Sequence, residues 1–468
     1  MTECIQQTFA FQGLGKRDVV ANFEGGFLSS DGGSPFLREI EARCGLMRRL
    51  AGCFRDYRNP ELIEHSVEEL LRQRIFGLVL GYEDLNDHDR LRYDPLLAVA
   101  CGKDDPLGLG RREERDRGKA LAGKSTLNRL ELAIQGPDVR YKKIVGETAE
   151  LESLLLEEAV AALPRKSGML VLDFDATDDP IHGGQEGRFF HGYYRHYCYL
   201  PLYCFCGNIP LWAQLRTSGR DASDGTVAAL EKIVAAIRRR FGRRKKILVR
   251  ADGGFAREAI MSWCEGQTNV FYCLGLARNS RLQGELEEAF AGLEAALAGE
   301  ELEAPCRCFR DFEYRTLESW SRSRRVVGKA ELTHAGRNPR FVVTNLPADQ
   351  VAARRLYEDI YCGRGDMENQ IKVQQMDLFA DRTSTGIFDA NQLRLWFSAF
   401  AHLLVEKLRA EVLKDTSLAE ATIGQIRLRF FKLAARVKVS CRRVLIEWCS
   451  ACPNQRDYLL AHAALSAG

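Results

Sequence analysis

Two apolar runs that each end in aspartate constrain this chain more than any other feature of its sequence. In the first, Met169-Leu170-Val171-Leu172-Asp173-Phe174-Asp175-Ala176-Thr177, a strand's alternation sends Asp173 and Asp175 to one side and Leu172 and Phe174 to the other. The second, Ile247-Leu248-Val249-Arg250-Ala251-Asp252-Gly253-Gly254-Phe255, ends at Asp252 with two glycines that let the backbone turn closely. A third stretch, Tyr357 to Phe379, reads at helical period. Leu356, Ile360, Met367, Ile371 and Leu378 make an apolar stripe, while Tyr361, Arg364, Glu368 and Lys372 follow one another turn by turn along a different line. The first stripe can pack; the second presents a carboxylate flanked by an aromatic hydroxyl and two cations. Taken alone, that second line reads as a solvated face with i,i+4 ion pairs.

Two strand-end aspartates followed by a helix glutamate change that reading. Three carboxylates repel one another unless cations sit between them, and hard divalent ions such as Mg²⁺ prefer such oxygen ligands. Two such ions about 3.5–4 Å apart activate an attacking oxygen and stabilise the leaving oxygen of a phosphodiester. An aspartate of the first run, Asp252 and Glu368 are therefore candidate metal ligands, and phosphoryl transfer on nucleic acid is the expected chemistry.

The strings DFDATDDP (Asp173 to Pro180), EGRFFHGYY (Glu186 to Tyr194), RADGGF (Arg250 to Phe255), YCGRGDMEN (Tyr361 to Asn369) and DLFADRTST (Asp377 to Thr385) carry a family resemblance. In them the chain resembles the DDE transposases of bacterial insertion sequences, and among these the group numbered thirteen-eighty. The resemblance implies an α/β fold: an RNase-H-like mixed-sheet core with a β-rich insertion, preceded by an α-helical N-terminal domain and followed by C-terminal helices. It implies Asp175, Asp252 and Glu368 as catalytic residues and ligands of two Mg²⁺ ions, with Mn²⁺ as a substitute. Asp175 is preferred because Asp-x-Thr at the strand end is closest to the family pattern; Asp173, Asp178 and Asp179 are the alternatives. Tyr361, Arg364 and Glu368 also fit the Y-x2-R-x3-E-x6-K signature of related cut-and-paste transposases, but its lysine position holds Gln375, and Lys372 is the nearest lysine able to reach a phosphate.

The implied activity is metal-dependent cleavage at transposon ends and strand transfer into target DNA. The implied partners are double-stranded DNA, as terminal inverted repeats and as target, and a second copy of the chain in a homodimer on DNA. A domesticated DNA-binding protein without activity, and a nuclease that does not join ends, are the alternatives.

Composition sets outer bounds. With 468 residues the chain accommodates two or three domains, and its 46% hydrophobic and 28% charged content is that of an ordinary globular protein. It has no apolar run of membrane-spanning length, and its first residues lack the basic and apolar regions of a signal peptide, so a cytoplasmic, nucleoid-associated location without membrane contact is expected. A formal charge of +3 does not by itself indicate nucleic acid; affinity for DNA must come from segregated patches. The fifteen cysteines lack the spacing of paired zinc knuckles and read as reduced thiols.

The expected division is a helical DNA-binding domain over 1–150, the first part of the core over 151–277, a β-rich insertion over 278–348, the glutamate helix over 349–386 and a helical region over 387–468. Within the core, strands are expected at 168–175, 196–206, 209–216, 246–251 and 269–276, with helices at 222–240 and 256–265. Gly118 to Ser125 matches the G-x4-G-K-[ST] phosphate loop, but the charged residues Arg111 to Arg117 before it cannot form the buried strand that motif needs. Lys124 is read instead as a helix start able to touch DNA phosphate. In the insertion, Arg322 is a candidate DNA contact, and Trp320 is either a base-stacking ring or a core aromatic. His182, His191 and His196, among Tyr193, Tyr194 and Tyr197, are expected to contact DNA or to pack.

Overall fold

The computed structural model describes residues 8–134, 143–297 and 304–466. It separates into two compact units, Glu147–Glu406 and a second made of Met1–Gly146 with Lys407–Gly468.

The first unit is a mixed α/β structure. Its elements are α1 (Thr148–Ala162), β1 (Met169–Ala176), β2 (Phe189–His191), β3 (His196–Tyr199), β4 (Leu202–Cys206), β5 (Ile209–Gln214), α2 (Thr226–Phe241), β6 (Lys246–Ala251), α3 (Glu258–Glu265), β7 (Val270–Leu276), β8 (Cys306–Tyr314), β9 (Arg324–Thr333), β10 (Arg340–Thr344), α4 (Gly365–Lys372) and α5 (Phe388–Leu408). The main sheet runs β5-β4-β1-β6-β7-β10-β9-β8, with Gly336–Arg337 pairing on β9. β1, β6 and β7 are parallel, and the remaining neighbours are antiparallel.

β6 shows why the centre of this sheet is buried on both faces. Leu248 packs with Cys273, Val327 and Val342, while its neighbours Ile247 and Val249 alternate to the other side and are buried too. Leu356 and Tyr357 belong to the same cluster as Leu248. β9 and β10 thus continue the sheet beyond β7 and supply Val327 and Val342 as the floor on which the start of the glutamate-bearing helix rests. α2 ends with Arg238, Arg239 and Arg240, where cations are favoured by the helix dipole.

The strand read over 196–206 is two strands. Leu200-Pro201 divides β3 from β4, because proline lacks the N–H a ladder needs and disfavours regular backbone before it. β3 joins a separate sheet with β2 and the pair Asp179–Pro180.

In the second unit, helices such as Val67–Leu80 and Lys124–Glu131 form the core, with a buried ion pair between Arg74 and Glu131 at 2.7 Å. The expectation of a wholly helical C-terminal region is corrected here. Ala435–Ser440 and Arg443–Trp448 form a β-hairpin that pairs with Phe27–Ser29. Arg436 and Lys438 stand at alternate positions of its first strand, with Lys438 Nζ 2.9 Å from Glu447 Oε1 across the hairpin. The N-terminal part is likewise not purely helical, since Phe9–Leu14 and Arg17–Ala21 pair as antiparallel strands. Among the described residues the cysteines are free thiols, and no helix is long and apolar enough to cross a membrane.

Candidate active site

Asp175 is the penultimate residue of β1, and Asp252 directly follows β6. Arg250 is level with Asp173 in the parallel register, so two residues on, Asp252 comes level with Asp175 at the carboxyl ends of neighbouring strands. Each side chain is held by its own backbone: Asp175 Oδ1 accepts from Ala176 N at 2.9 Å, and Asp252 Oδ1 accepts from Gly254 N at 2.8 Å, capping the turn Gly253–Phe255.

Glu368 lies on a segment that is helical from Ala353 to Asp377 without being uniform. It is π-helical over Leu356–Tyr361, tightens over Cys362–Arg364, is α-helical in α4 and widens again over Val373–Asp377. Such departures concentrate at functional sites. Met367 and Ile371 are buried, whereas Glu368 and Lys372 are exposed.

Arg364 stands between two of the three carboxylates, with Nη1 3.4 Å from Asp175 Oδ2 and Nη2 3.3 Å from Glu368 Oε1. Burial pushes the Asp175 carboxyl up to about 6, aided by the charge of Asp252 and, more weakly, by that of Glu368, with Arg364 pulling the other way. Burial works against the charged form of Arg364, but Asp175, Tyr361, Asp252 and Glu368 outweigh it and hold the guanidinium above its ordinary value. The Tyr361 phenol is raised by burial and by Asp252. A Cβ at Gly275 would lie 2.5 Å from the Tyr361 hydroxyl and 2.8 Å from Gly253 N, so glycine alone lets that hydroxyl lie against the turn after Asp252.

Asp173 has a different neighbour. Arg250 Nη2 is 2.7 Å from Asp173 Oδ2, and Arg250 Nη1 is 2.6 Å from the Ile360 carbonyl. Gly363 provides the passage, since a Cβ there would sit 2.6 Å from Arg250 Nη1. Sequence reasoning assigned Arg250 no role. The signal was present, because an arginine inside an apolar strand has to be paired where it is buried.

Gln375, at the position where the signature has lysine, donates to Asp179 Oδ1 at 2.9 Å and to the Asp178 carbonyl at 3.1 Å. Asp179 is buried and its carboxyl is raised well above the ordinary range by that burial, with Gln375 opposing. Asp178 faces His196 Nε2 at 2.8 Å.

The other candidates have neighbours of their own. Trp320 is buried, with Tyr314 edge-on at 5.8 Å and Arg324 5.5 Å over its ring, the surroundings of a packed aromatic. Arg322 is exposed, 3.4 Å from Glu265. Lys124 belongs to the second unit, where its Nζ lies 3.2 Å from Asn86 Oδ1 and 3.5 Å from Asp89 Oδ2. It opens the helix Lys124–Glu131, and the described residues 111–123 just before it form loop and a short turn at Glu114–Asp116 in place of a strand. Arg111 and Arg112 are engaged with Glu64.

Among the described residues, no three His, Cys, Asp or Glu side chains stand close enough to share one ion as placed. The donor set nevertheless fits a hard cation: carboxylate oxygens whose mutual repulsion with burial raises Asp175, and which Arg364 only partly offsets.

The chain belongs to the family Transposase DDE domain group 1, whose model matches residues 11–467. Among solved structures it is similar to the piggyBac transposase in a synaptic complex with hairpin DNA, determined by cryo-electron microscopy, at 9% identity and a TM-score of 0.41 over 85% of this chain and 80% of that one. No curated protein matches it.

Proposed function

We propose that the protein is the cut-and-paste transposase of a bacterial insertion sequence of the thirteen-eighty group, cleaving DNA at the element's terminal inverted repeats and joining the ends to target DNA. What supports this reading is Arg364 standing 3.4 Å from Asp175 and 3.3 Å from Glu368, with Asp252 close enough for its charge to act on Asp175. The sheet β5-β4-β1-β6-β7, antiparallel at one side and parallel at the centre, supports an RNase-H-like core, with β8 to β10 as its β-rich insertion.

Asp175, Asp252 and Glu368 would hold divalent cations, Mg²⁺ or Mn²⁺, which when bound supply positive charge for the attacking and leaving oxygens of a phosphodiester. Arg364 has a planar fork suited to a phosphate and is already near both Asp175 and Glu368. The Tyr361 hydroxyl, pressed against Gly275, orients the bound strand, and exposed Lys372 contacts backbone phosphate one turn beyond Glu368. A homodimer would hold the two ends together.

The test is cleavage of duplexes taken from the inverted repeats flanking the coding region. Glu368→Gln and Asp252→Asn abolish cleavage in Mg²⁺ and leave end binding measurable on this reading; unimpaired cleavage by both removes it. Cleavage without joining to a target favours a nuclease.

A further inference from the structure

The ten residues Arg188 to Tyr197 contain five aromatic rings, two arginines, two histidines and no acid. They form the hairpin β2–β3, in which Phe190 faces Tyr197 and His191 faces His196, and Arg195, at φ +61°, closes the tip by donating its N–H to the His191 carbonyl at 2.8 Å. The rings run on from one another: Phe190 to Tyr197 at 5.5 Å, His191 to Tyr194 at 4.9 Å, Tyr194 to Tyr193 at 5.1 Å and Tyr194 to His196 at 6.1 Å. Arg188 lies 5.0 Å over the Tyr197 ring.

This aromatic surface is open while its base is fixed. Tyr193 is 83% exposed and Phe190 50%, whereas Ser218 Oγ donates to the Phe189 carbonyl at 3.1 Å and Glu186 N to the Gly386 carbonyl at 2.9 Å. The hairpin is also joined to the segment that leaves β1. Asp179 and Pro180 pair with Tyr199 and Cys198, and His196 Nε2 is 2.8 Å from Asp178 Oδ2, three residues beyond Asp175. Tyr194 is close enough to Asp178 and Asp175 for their charges to add to burial in pushing its phenol up to about 12.

We propose that this hairpin is a stacking platform for unpaired bases of a DNA strand lying beside the carboxylate cluster. The inference rests on the transposase reading and adds to it an element that reads single-stranded character. Flat rings at the surface bind the π-face of any base, and interleaved cations track the backbone, which makes such surfaces tolerant of sequence. A protein partner would use the rings, but a polyanion uses the rings together with Arg188 and Arg195.

The experiment uses the full chain with Ca²⁺ in place of Mg²⁺ and two duplexes of arbitrary sequence, one fully paired and one with a short unpaired overhang carrying a fluorescent base analogue. The wild type is expected to bind the overhang about tenfold more tightly and to change the analogue's fluorescence. The pair Phe190→Ala with Tyr193→Ala loses both effects while keeping its melting temperature and its affinity for paired DNA, and Phe190→Trp with Tyr193→Phe restores both. An unchanged overhang preference in the alanine variant overturns the proposal, as does a wild type with no preference, or an altered oligomeric state with the preference intact. A wild type that binds neither duplex overturns the transposase reading as well.

Discussion

Arg250 forks onto Asp173 from the neighbouring strand, Nη2 to Oδ2 at 2.7 Å, and its Nη1 holds the Ile360 carbonyl at 2.6 Å. One arginine thereby ties β1, β6 and the start of the glutamate-bearing helix. The two aspartates of β1 are divided between tasks: Asp173 is engaged inside the framework, and Asp175 faces Arg364. Breaking a buried pair by removing one partner leaves the other charge uncompensated, at about 3–5 kcal/mol. Arg250→Ala and Asp173→Asn should each lower the melting temperature strongly, and Asp175→Asn should not. Calorimetric melts of the three variants check this; a strong loss in Asp175→Asn alone would reverse the two roles.

Burial and the charges of Asp252 and Glu368 raise Asp175, and the Ala176 N–H and Arg364 only partly offset them. In chelator at neutral pH, Asp175→Asn removes a half-buried charge repelled by its neighbours, so it should melt higher than wild type, by on the order of 1–3 kcal/mol. Adding Mg²⁺ should reverse the order. An ion that binds only the folded state stabilises it by about 2.7 kcal/mol at a hundred times its dissociation constant, and the asparagine variant forfeits most of that. Thermal melts in chelator and over a Mg²⁺ titration measure both effects.

Arg364 bridges two carboxylates with separate nitrogens, 3.4 Å and 3.3 Å away. A lysine cannot reproduce two directed contacts in one plane. Arg364→Ala should slow single-turnover cleavage of end DNA by roughly a hundredfold, the scale of one lost electrostatic donor, and Arg364→Lys should recover only part of it. Equal rates for arginine and lysine would remove the two-nitrogen role.

His88 gives the second unit a pH dependence. Its ring is buried, with Nδ1 3.0 Å from Gln73 Nε2, and burial, with help from Arg74, holds its pKa at about 3. The unfolded chain protonates first, near the ordinary value of about 6.5. Stability is therefore complete above that pH and declines as pH falls towards the folded value, by about 2 kcal/mol at pH 5. His88→Gln should flatten that limb of a denaturant-measured stability profile; an unchanged slope assigns it to other groups.

The site's ingredients were legible in the sequence because they are local. Alternation placed Asp173 and Asp175 on one side of a strand, Gly253-Gly254 marked the turn after Asp252, and the helical period set Glu368 apart from Met367 and Ile371. What was not legible depends on contacts between distant segments. Alternation alone does not tell Asp173 from Asp175, whose different partners, Arg250 and Arg364, come from distant segments. The π-helical turns before and after α4 leave no mark in a uniform 3.6-residue reading, and Gln375 at the lysine position makes sense only beside Asp179. The strand Ala435–Ser440, within the region expected to be helical, depends on pairing with Phe27–Ser29 from the far end of the chain.

The most direct test of a shared cation site uses Fe²⁺ in place of Mg²⁺, so that radicals generated at the bound ion cut the nearby backbone. Cuts at three separate segments, around Asp175, Asp252 and Glu368, suppressed by excess Mg²⁺ and lost together in Asp252→Asn, are the expected result. Cuts confined to one of those segments, or cuts that Mg²⁺ does not suppress, would contradict it.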